Sequence, residues 1–244
     1  MGFGLLYRWD LREPGRLAIA ALLFLVSLFS FALFTHEQFP SSAPVSILAT
    51  RFLGAISILY VFAAPLVAAL AVTVFTLDWE RGLLAEYATL SFTKTQILAA
   101  KTLSVLTLTL APVILAALVA AALQDPHAAA TSYLAIVGPQ FWLASVRVVS
   151  MILFFLFTTM GVAILNRRAI HAFIVPTTAF YLFWYISDQV GRVASILPPK
   201  VFWNILFLTP RGPIWHVNGL LYVAGALVFF VTAALHFRYR KELG

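Results

Sequence analysis

The side chains that could bind or react are concentrated in one charged segment of this 244-residue chain. Residues 52–77 before it and residues 102–123 after it contain no Asp, Glu, Lys or Arg. Each uncharged run is long enough to cross the ~30 Å hydrocarbon core of a bilayer as a helix of ~20 residues. The segment between them carries carboxylates and cations suited to ion pairing or to binding a partner protein: Asp78, Glu80, Arg81, Glu86, Lys94 and Lys101.

The same segment has the period of a short amphipathic helix. Its apolar residues recur at a spacing of three to four, and its polar residues take the opposite side. The apolar set is Leu83, Leu84, Tyr87 and Leu90, and the polar set is Arg81, Glu86, Thr89 and Thr93. We expect this helix to lie on the membrane surface with its polar face toward water or a protein.

Catalytic signatures are missing from the sequence. It contains no HExxH, GxSxG, phosphate-binding Gly-rich loop or EF-hand pattern, and it has no cysteine. The histidines His36, His127 and His216 fall on predicted outer segments near Glu37 and Asp125, where a shared metal site is geometrically conceivable, but solvated side chains are the ordinary interpretation. We expect no catalytic residue, metal or bound cofactor in this chain.

Composition places the chain in a membrane. Hydrophobic residues make up 62%, charged residues 10%, and the mean hydropathy is +0.97, whereas a soluble domain has about 25% charged residues. The net charge is +7, but the basic residues lie beside the apolar runs, where they set the orientation of a membrane protein. Nucleic-acid binding is therefore not expected. Six crossings would leave no room for a soluble catalytic domain.

The predicted fold class is an all-α integral membrane protein of one transmembrane domain. Residues 1–16 form an interfacial helix broken at Pro14-Gly15, residues 78–96 a cytoplasmic coupling segment, and residues 188–218 an outer re-entrant segment between proline pairs. The basic residues that precede the apolar stretch 17–35 also fit a signal peptide. The apolar stretch is longer than the usual apolar core of such a peptide, so we interpret it as a retained first span. The six predicted spans cover about 17–35, 52–77, 97–123, 141–165, 169–187 and 219–237.

The basic residues predict an orientation with both termini in the cytoplasm. Eleven of the 16 Lys and Arg residues fall on the inner side, and four, Arg51, Arg192, Lys200 and Arg211, on the outer side. We expect a multi-pass protein of the cell membrane.

Arg147 is the one ionisable residue predicted to lie within a span. A charge at mid-bilayer costs at least ~2.5–3.5 kcal/mol, so its side chain should face protein or water. It can extend to the outer surface or pair with Asp188 or Asp125. Contact with a substrate is the alternative.

The charged segment resembles the corresponding segment of ABC-2-type permeases, the membrane subunits of a class of ABC transporters. The resemblance rests on Glu80, Arg81 and Gly82, the helix through Leu90, the turn Ser91-Phe92-Thr93, Lys94, and Lys101 at the foot of the third span. Two positions differ, because Ser91 replaces a usual Pro and Leu83 a frequent Thr. The apolar segment before Thr209-Pro210 is similar to the outer re-entrant helices of that family.

The resemblance implies a permease that forms an export pathway as a homodimer or heterodimer with a related chain. Two copies of a separate ATPase subunit, which would bind the ATP and Mg²⁺, would dock below and act on the coupling segment. The implied coupling residues are Asp78, Glu80, Arg81, Gly82, Glu86 and Lys94, with Gly82 allowing a close turn. A lipid-like or amphiphilic substrate suits the apolar spans, and membrane lipids are the remaining partners.

Two other classes remain open at the level of sequence. An ion-driven carrier or a membrane assembly factor would need no ATPase, although a carrier should hold acidic residues deep in its spans. An intramembrane enzyme would need a polar cluster facing one cavity. The hydroxyls of Thr107, Thr109, Thr158 and Thr159 are expected to make helix-packing contacts.

Overall fold

The computed structural model describes residues 2–35, 64–83, 87, 92–124, 153–189 and 214–239. The prediction of an all-helical chain is confirmed for these residues, which form seven helices. They are α1 (Gly2–Arg12), α2 (Pro14–Thr35), α3 (64–80), α4 (Lys94–Gln124), α5 (Leu153–Leu165), α6 (Ala169–Gln189) and α7 (Ile214–Tyr239).

Two of the described helices are long and apolar enough to cross a membrane. These stretches are Lys94–Ala116 in α4 and Leu220–Tyr239 in α7. Shorter apolar stretches occur in α2, α5 and α6. The helix α4 begins three residues before the predicted span 97–123 and ends one residue after it, and α6 covers the predicted span 169–187.

The first two helices meet at Glu13, and the predicted break at Pro14-Gly15 is wrong by one or two residues. Pro14 is the first residue of α2, a position that suits proline because the first N–H of a helix has no intrahelical acceptor. The N–H of Leu17 already donates to the Glu13 carbonyl at 3.0 Å. The turn between the helices is therefore a single residue, and it places the charges of both helices close together.

The helix α1 packs against α4 with one face. Its Tyr7 hydroxyl lies 3.0 Å from Thr107 Oγ1, and its Asp10 carboxylate lies 3.3 Å from Ser104 Oγ. As α1 advances, its contacts move backward along α4, so the two helices run in opposite directions where they touch. Away from this face, α1 exposes the apolar side chains of Leu5 and Trp9, and Phe3, near its start, is also exposed.

A small apolar core joins α2, α3 and α4. Leu23 and Leu70 have no exposed surface, and Leu108 packs with them. A larger core joins α1, α3 and α4 to α5 through residues such as Val74, Val105 and Leu156. The helices α2, α3 and α4 therefore pack against one another through apolar side chains. Charged residues near the helix ends, Arg16, Asp78 and Lys101, join the same three helices.

Aromatic side chains join α5 to α6 and α7. The Phe157 and Phe230 rings lie 5.6 Å apart, and the Phe155 and Phe180 rings 5.1 Å apart. Gly161 of α5 allows a close approach, because a Cβ there would lie 2.6 Å from Cε1 of Phe229 in α7. The Thr76 hydroxyl of α3 donates to the Ala163 carbonyl of α5 at 2.8 Å, which connects the two groups of helices.

Candidate functional site

Four charged side chains from four helices are buried together where α1 and α3 end and α2 and α4 begin. They are Asp10 of α1, Arg16 of α2, Asp78 of α3 and Lys101 of α4, and none is more than 3% exposed. Charged residues are seldom so deeply buried unless they are paired. We call these four residues the ionic cluster.

Arg16 joins three of the helices. Its Nη1 donates to Asp10 Oδ1, and its Nη2 donates to Asp78 Oδ1 at 2.7 Å and to the Thr73 carbonyl at 3.0 Å. Its Nε lies 2.5 Å from Glu13 Oε2, an ion pair without hydrogen-bond alignment. A planar guanidinium suits this arrangement because its five N–H groups point in fixed, divergent directions.

Lys101 completes the cluster from α4. Its Nζ donates to Asp78 Oδ2 and, at 2.7 Å, to the Val74 carbonyl, and it lies 3.6 Å from Asp10 Oδ1. Two of the three N–H donors of the ammonium are thus used in hydrogen bonds, and the Asp10 carboxylate adds an ion-pair contact. Asp78 thus accepts from Arg16 on one oxygen and from Lys101 on the other.

Tyr87 covers the cluster from the coupling segment. Its ring centroid lies 5.4 Å from Lys101 Nζ, a cation–π contact, and the residue is 8% exposed. Burial, together with the negative charges of Asp78 and Asp10, raises the pKa of the Tyr87 phenol far above its usual value. The phenol is therefore neutral at physiological pH and adds no charge.

The charges of the cluster balance. Asp10 and Asp78 offset Arg16 and Lys101, and Glu13 and Arg81 form a further pair at 3.2 Å on the more exposed side. Burying ions costs several kcal/mol each, which the mutual attraction offsets only when geometry and hydrogen bonding are good. The buried cluster is accordingly a positional constraint on four helices, and removing one member leaves an uncompensated charge.

The exposed end of α3 is fixed by two further interactions. Glu80 Oε1 accepts a 2.7 Å hydrogen bond from the N–H of Ala169, the first residue of α6, so it caps a helix on which a negative charge is favourable. Gly82 has φ 75° and donates its N–H to the Trp79 carbonyl at 3.0 Å. This left-handed conformation after a helix is one that glycine adopts without strain, and it is the turn that the sequence predicts there.

The structure also describes the C-terminal end of the coupling segment, where α4 begins. Leu83 and Tyr87 are helical, and the N–H of Phe92 donates to the Tyr87 carbonyl at 3.4 Å. Thr93 and Gln96 then exchange side-chain-to-backbone hydrogen bonds of 3.0 and 3.2 Å. This capping box begins α4 at Lys94.

The structure distributes the predicted coupling residues between the interior and the surface. Asp78 is 0% exposed and has no surface to offer a partner, so its assignment as a coupling residue stays a prediction, and any part it has in coupling is through the residues it pairs with. Glu80 and Arg81 are exposed, and Lys94 is half-buried. Glu86 and Arg147, as well as the outer segment around Thr209-Pro210, lie outside the described residues.

Sequence reasoning missed Asp10 and Arg16 as site residues. Both lie in the segment 1–16 that the sequence predicts as an interfacial helix, and only Arg16 enters the prediction of orientation. Leu6 and Asp10 are four residues apart and therefore share the buried face of α1. This spacing is visible in the sequence, and it indicates that Asp10 lies on the same face as an apolar residue. The T-x-x-Q pattern of Thr93 and Gln96 was readable as well.

The predicted helix-packing role of the threonine hydroxyls holds for some of them. Thr107 reaches Tyr7 across helices, while Thr158 and Thr159 donate to carbonyls of their own helix. Thr109 Oγ1 is buried without a hydrogen-bond partner in the described part of the chain.

Within the described ranges, no three His, Asp or Glu side chains converge as a metal site would require. No protein-family model matches the chain, and a search of curated proteins finds no related sequence. The geometry of the ionic cluster and of the coupling segment is therefore the basis for a functional argument.

Proposed function

We propose that this chain is the permease subunit of an ABC exporter, with separate ATPase subunits acting on the segment 78–96. One observation carries the proposal. Asp78 and Lys101 lie near the two ends of that segment, and they form an ion pair with each other. A displacement applied to the segment would therefore move the feet of α3 and α4 together.

The rest of the cluster extends that connection to α1 and α2. Arg16 pairs with Asp78 at 2.7 Å and also with Asp10, so a movement of α3 would reach the first two helices without passing through a loop. Glu80 connects the same end of α3 to the start of α6. Four elements with short, charged contacts behave more as one body than as independent helices, which is what transmission of a domain movement requires.

The membrane architecture belongs to the proposal as well. We assign six spans with both termini in the cytoplasm, a multi-pass protein of the cell membrane, and a translocation pathway formed with a second copy or a related chain. The two helices with membrane-spanning length and composition support this assignment, as does the distribution of basic residues. An amphiphilic, lipid-like substrate fits such a pathway.

The first test is purification of the tagged chain from its native membrane in a mild detergent, with identification of co-purifying proteins and an assay of ATP hydrolysis. A stoichiometric nucleotide-binding subunit supports the proposal. Its reproducible absence from a folded, monodisperse preparation would refute the proposal and favour a carrier or an assembly factor.

The second test concerns the coupling surface and uses Arg81→Glu. Arg81 is 53% exposed in its side chain, and its ion pair with Glu13, at 3.2 Å, lies on the surface, so loss of that pair should cost the fold at most ~1 kcal/mol. We expect weaker ATPase association or lower substrate-stimulated hydrolysis. Arg8→Glu, the same charge change at an exposed site on α1, is the matched control and should leave both unchanged.

The carrier alternative has one observation in its favour. Asp10 and Asp78 are buried acids, and ion-driven carriers use such residues. Both are already paired with cations of the chain at short distance, however, so neither is an open site for a transported cation. Proton uptake by vesicles containing the purified chain alone would decide for the carrier.

A further inference from the structure

The carboxylate of Glu13 lies between two arginines, at the single-residue turn that joins α1 to α2. Its Oε1 accepts a hydrogen bond of 3.2 Å from Nη1 of Arg81, and its Oε2 lies 2.5 Å from Nε of Arg16. Arg81 belongs to the exposed part of the coupling segment, whereas Arg16 belongs to the ionic cluster. Glu13 therefore connects the surface of the coupling segment directly to the buried charges.

The contacts of Glu13 with the two arginines are both imperfect. The distance from Oε1 to Arg81 Nη1 is 3.2 Å, whereas a hydrogen bond between charged groups is typically about 2.7–2.9 Å long. Glu13 Oε2 and Arg16 Nε are both buried, and neither has a hydrogen-bond partner in the described part of the chain although they are close together. A buried donor or acceptor without a hydrogen bond is unfavourable. The carboxylate is thus shared between two cations.

The main chain beside these side chains is fixed, so a change of partner needs only side-chain rotation. The Glu13 carbonyl accepts from the Leu17 N–H at 3.0 Å, and the Arg81 N–H donates to the Leu77 carbonyl at 3.0 Å. The exposed fraction of the side chain is 53% for Arg81, 29% for Glu13 and 4% for Arg16. A partner can therefore reach Arg81 from outside, while Arg16 stays in place.

The group that can take Arg81 from Glu13 is a carboxylate. A guanidinium can bind a carboxylate through two parallel N–H···O bonds, and the bond from Arg81 to Glu13 involves Nη1 only. The neighbouring acid, Glu80, accepts from the Ala169 N–H at the start of α6. The matching partner is therefore a protein that presents an Asp or Glu side chain to Arg81.

We propose that Glu13 is an autoinhibitory contact for the coupling surface. It holds Arg81 in the isolated chain, and it turns to Arg16 Nε when an acidic side chain of the ATPase subunit binds Arg81. This inference rests on the proposed function, because the partner is the ATPase. The partner binds one of the two side-chain arrangements better and shifts their populations accordingly. Docking of the ATPase thus gives Arg16 a buried hydrogen bond that the isolated chain lacks.

The first measurement is the affinity of the purified full chain for the ATPase subunit that co-purifies with it. Glu13→Gln keeps the size of the side chain and removes its charge, so it frees Arg81. We expect binding to tighten by up to about fivefold, the factor that corresponds to the ~1 kcal/mol of an exposed ion pair. Arg81→Gln should weaken binding, and Glu13→Gln should then have no further effect. Weaker binding by Glu13→Gln, or an equal gain with and without Arg81, would overturn the proposal.

The second measurement needs no ATPase. Hydrogen exchange of the Arg16 Nε–H, followed by NMR of the full chain with ¹⁵N-labelled arginine in detergent, reports whether this group is hydrogen-bonded. Arg81→Gln leaves Glu13 free to turn, so the exchange should slow by about fivefold, the factor that corresponds to a hydrogen bond of ~1 kcal/mol. The double variant Glu13→Ala/Arg81→Gln should not show the slowing.

Arg8→Gln is the matched control, because Arg8 is an exposed arginine on α1, and it should leave both measurements unchanged. Exchange of the Arg16 Nε–H at the wild-type rate in Arg81→Gln would show that Glu13 is not shared, and it would overturn the inference even where the ATPase binds. Arg81→Gln alters an exposed side chain, so this test does not depend on whether the Glu13 variants fold. Without a co-purifying ATPase, the proposed function and the docking step fail together, while the exchange rate still decides whether Glu13 is shared.

Discussion

Neutralising Asp78 should destabilise the fold far more than removing any surface charge. Asp78→Asn keeps the size of the side chain and one acceptor oxygen, so the change is chiefly electrostatic. It leaves Asp10 as the only carboxylate of the ionic cluster for Arg16 and Lys101, in a site where all three are at most 3% exposed, with Glu13 as a further, less buried partner of Arg16. Breaking a buried pair by removing one partner costs ~3–5 kcal/mol, whereas an exposed pair such as Glu13 with Arg81 contributes ~0–1 kcal/mol.

The free energy of unfolding can be measured by denaturant titration of the detergent-purified chain, followed by far-UV circular dichroism. Lys101→Met should show a similar loss, because it leaves Asp78 paired with Arg16 only. The double variant Asp78→Asn/Lys101→Met restores charge balance, so it should be more stable than the sum of the two single losses indicates. Additive losses, or an Asp78→Asn effect no larger than that of Arg81→Gln, would refute the interpretation of the cluster as a coupled buried unit.

Two further predictions concern helix packing and capping. Gly161→Ala should cost ~1–3 kcal/mol, because the added Cβ meets the Phe229 ring at 2.6 Å. Gly225→Ala meets nothing within 4 Å and should be neutral or stabilising by up to ~1 kcal/mol; the same denaturant titration compares them, and an equal effect of both variants would contradict the close packing of α5 on α7. Thr93→Ala should cost ~0.5–2 kcal/mol through loss of the α4 cap, and Thr95→Ala, at an exposed position of the same turn, should cost less; equal losses would contradict the capping role.

Most of the helices could be predicted from the sequence because they coincide with an apolar run between charges or prolines. The run after Lys101 has no charge for 23 residues, and it forms the greater part of α4. The start of α2 was harder to place, since Pro14-Gly15 signals a break in most contexts. Proline is also favoured at the first helical position, and here that preference decided the boundary.

The ionic cluster could not be derived in the same way. Its members are distant in sequence, with Arg16 and Asp78 separated by 62 residues and Asp78 and Lys101 by 23. A sequence shows which acids and bases border the apolar runs, but any of the acids can pair with any of the bases. Glu80 illustrates the difficulty, because its charge suggests a partner-facing residue and the structure places its carboxylate on the first N–H of α6.

With the membrane placement that we propose, the position of the cluster follows from the physics of helices in lipid. Apolar side chains distinguish poorly between a neighbouring helix and an acyl chain, so hydrophobicity alone does not fix the register of one span against another. Charged groups near the ends of the helices do fix it, because only one register lets Arg16 reach both Asp10 and Asp78. The helices α1 to α4 are thereby held in a defined alignment at their feet, directly beside the exposed segment that carries Arg81. A partner that displaces this segment would move helices whose register is fixed. The same displacement, applied to helices held only by apolar contacts, would be dissipated as one helix slides along another.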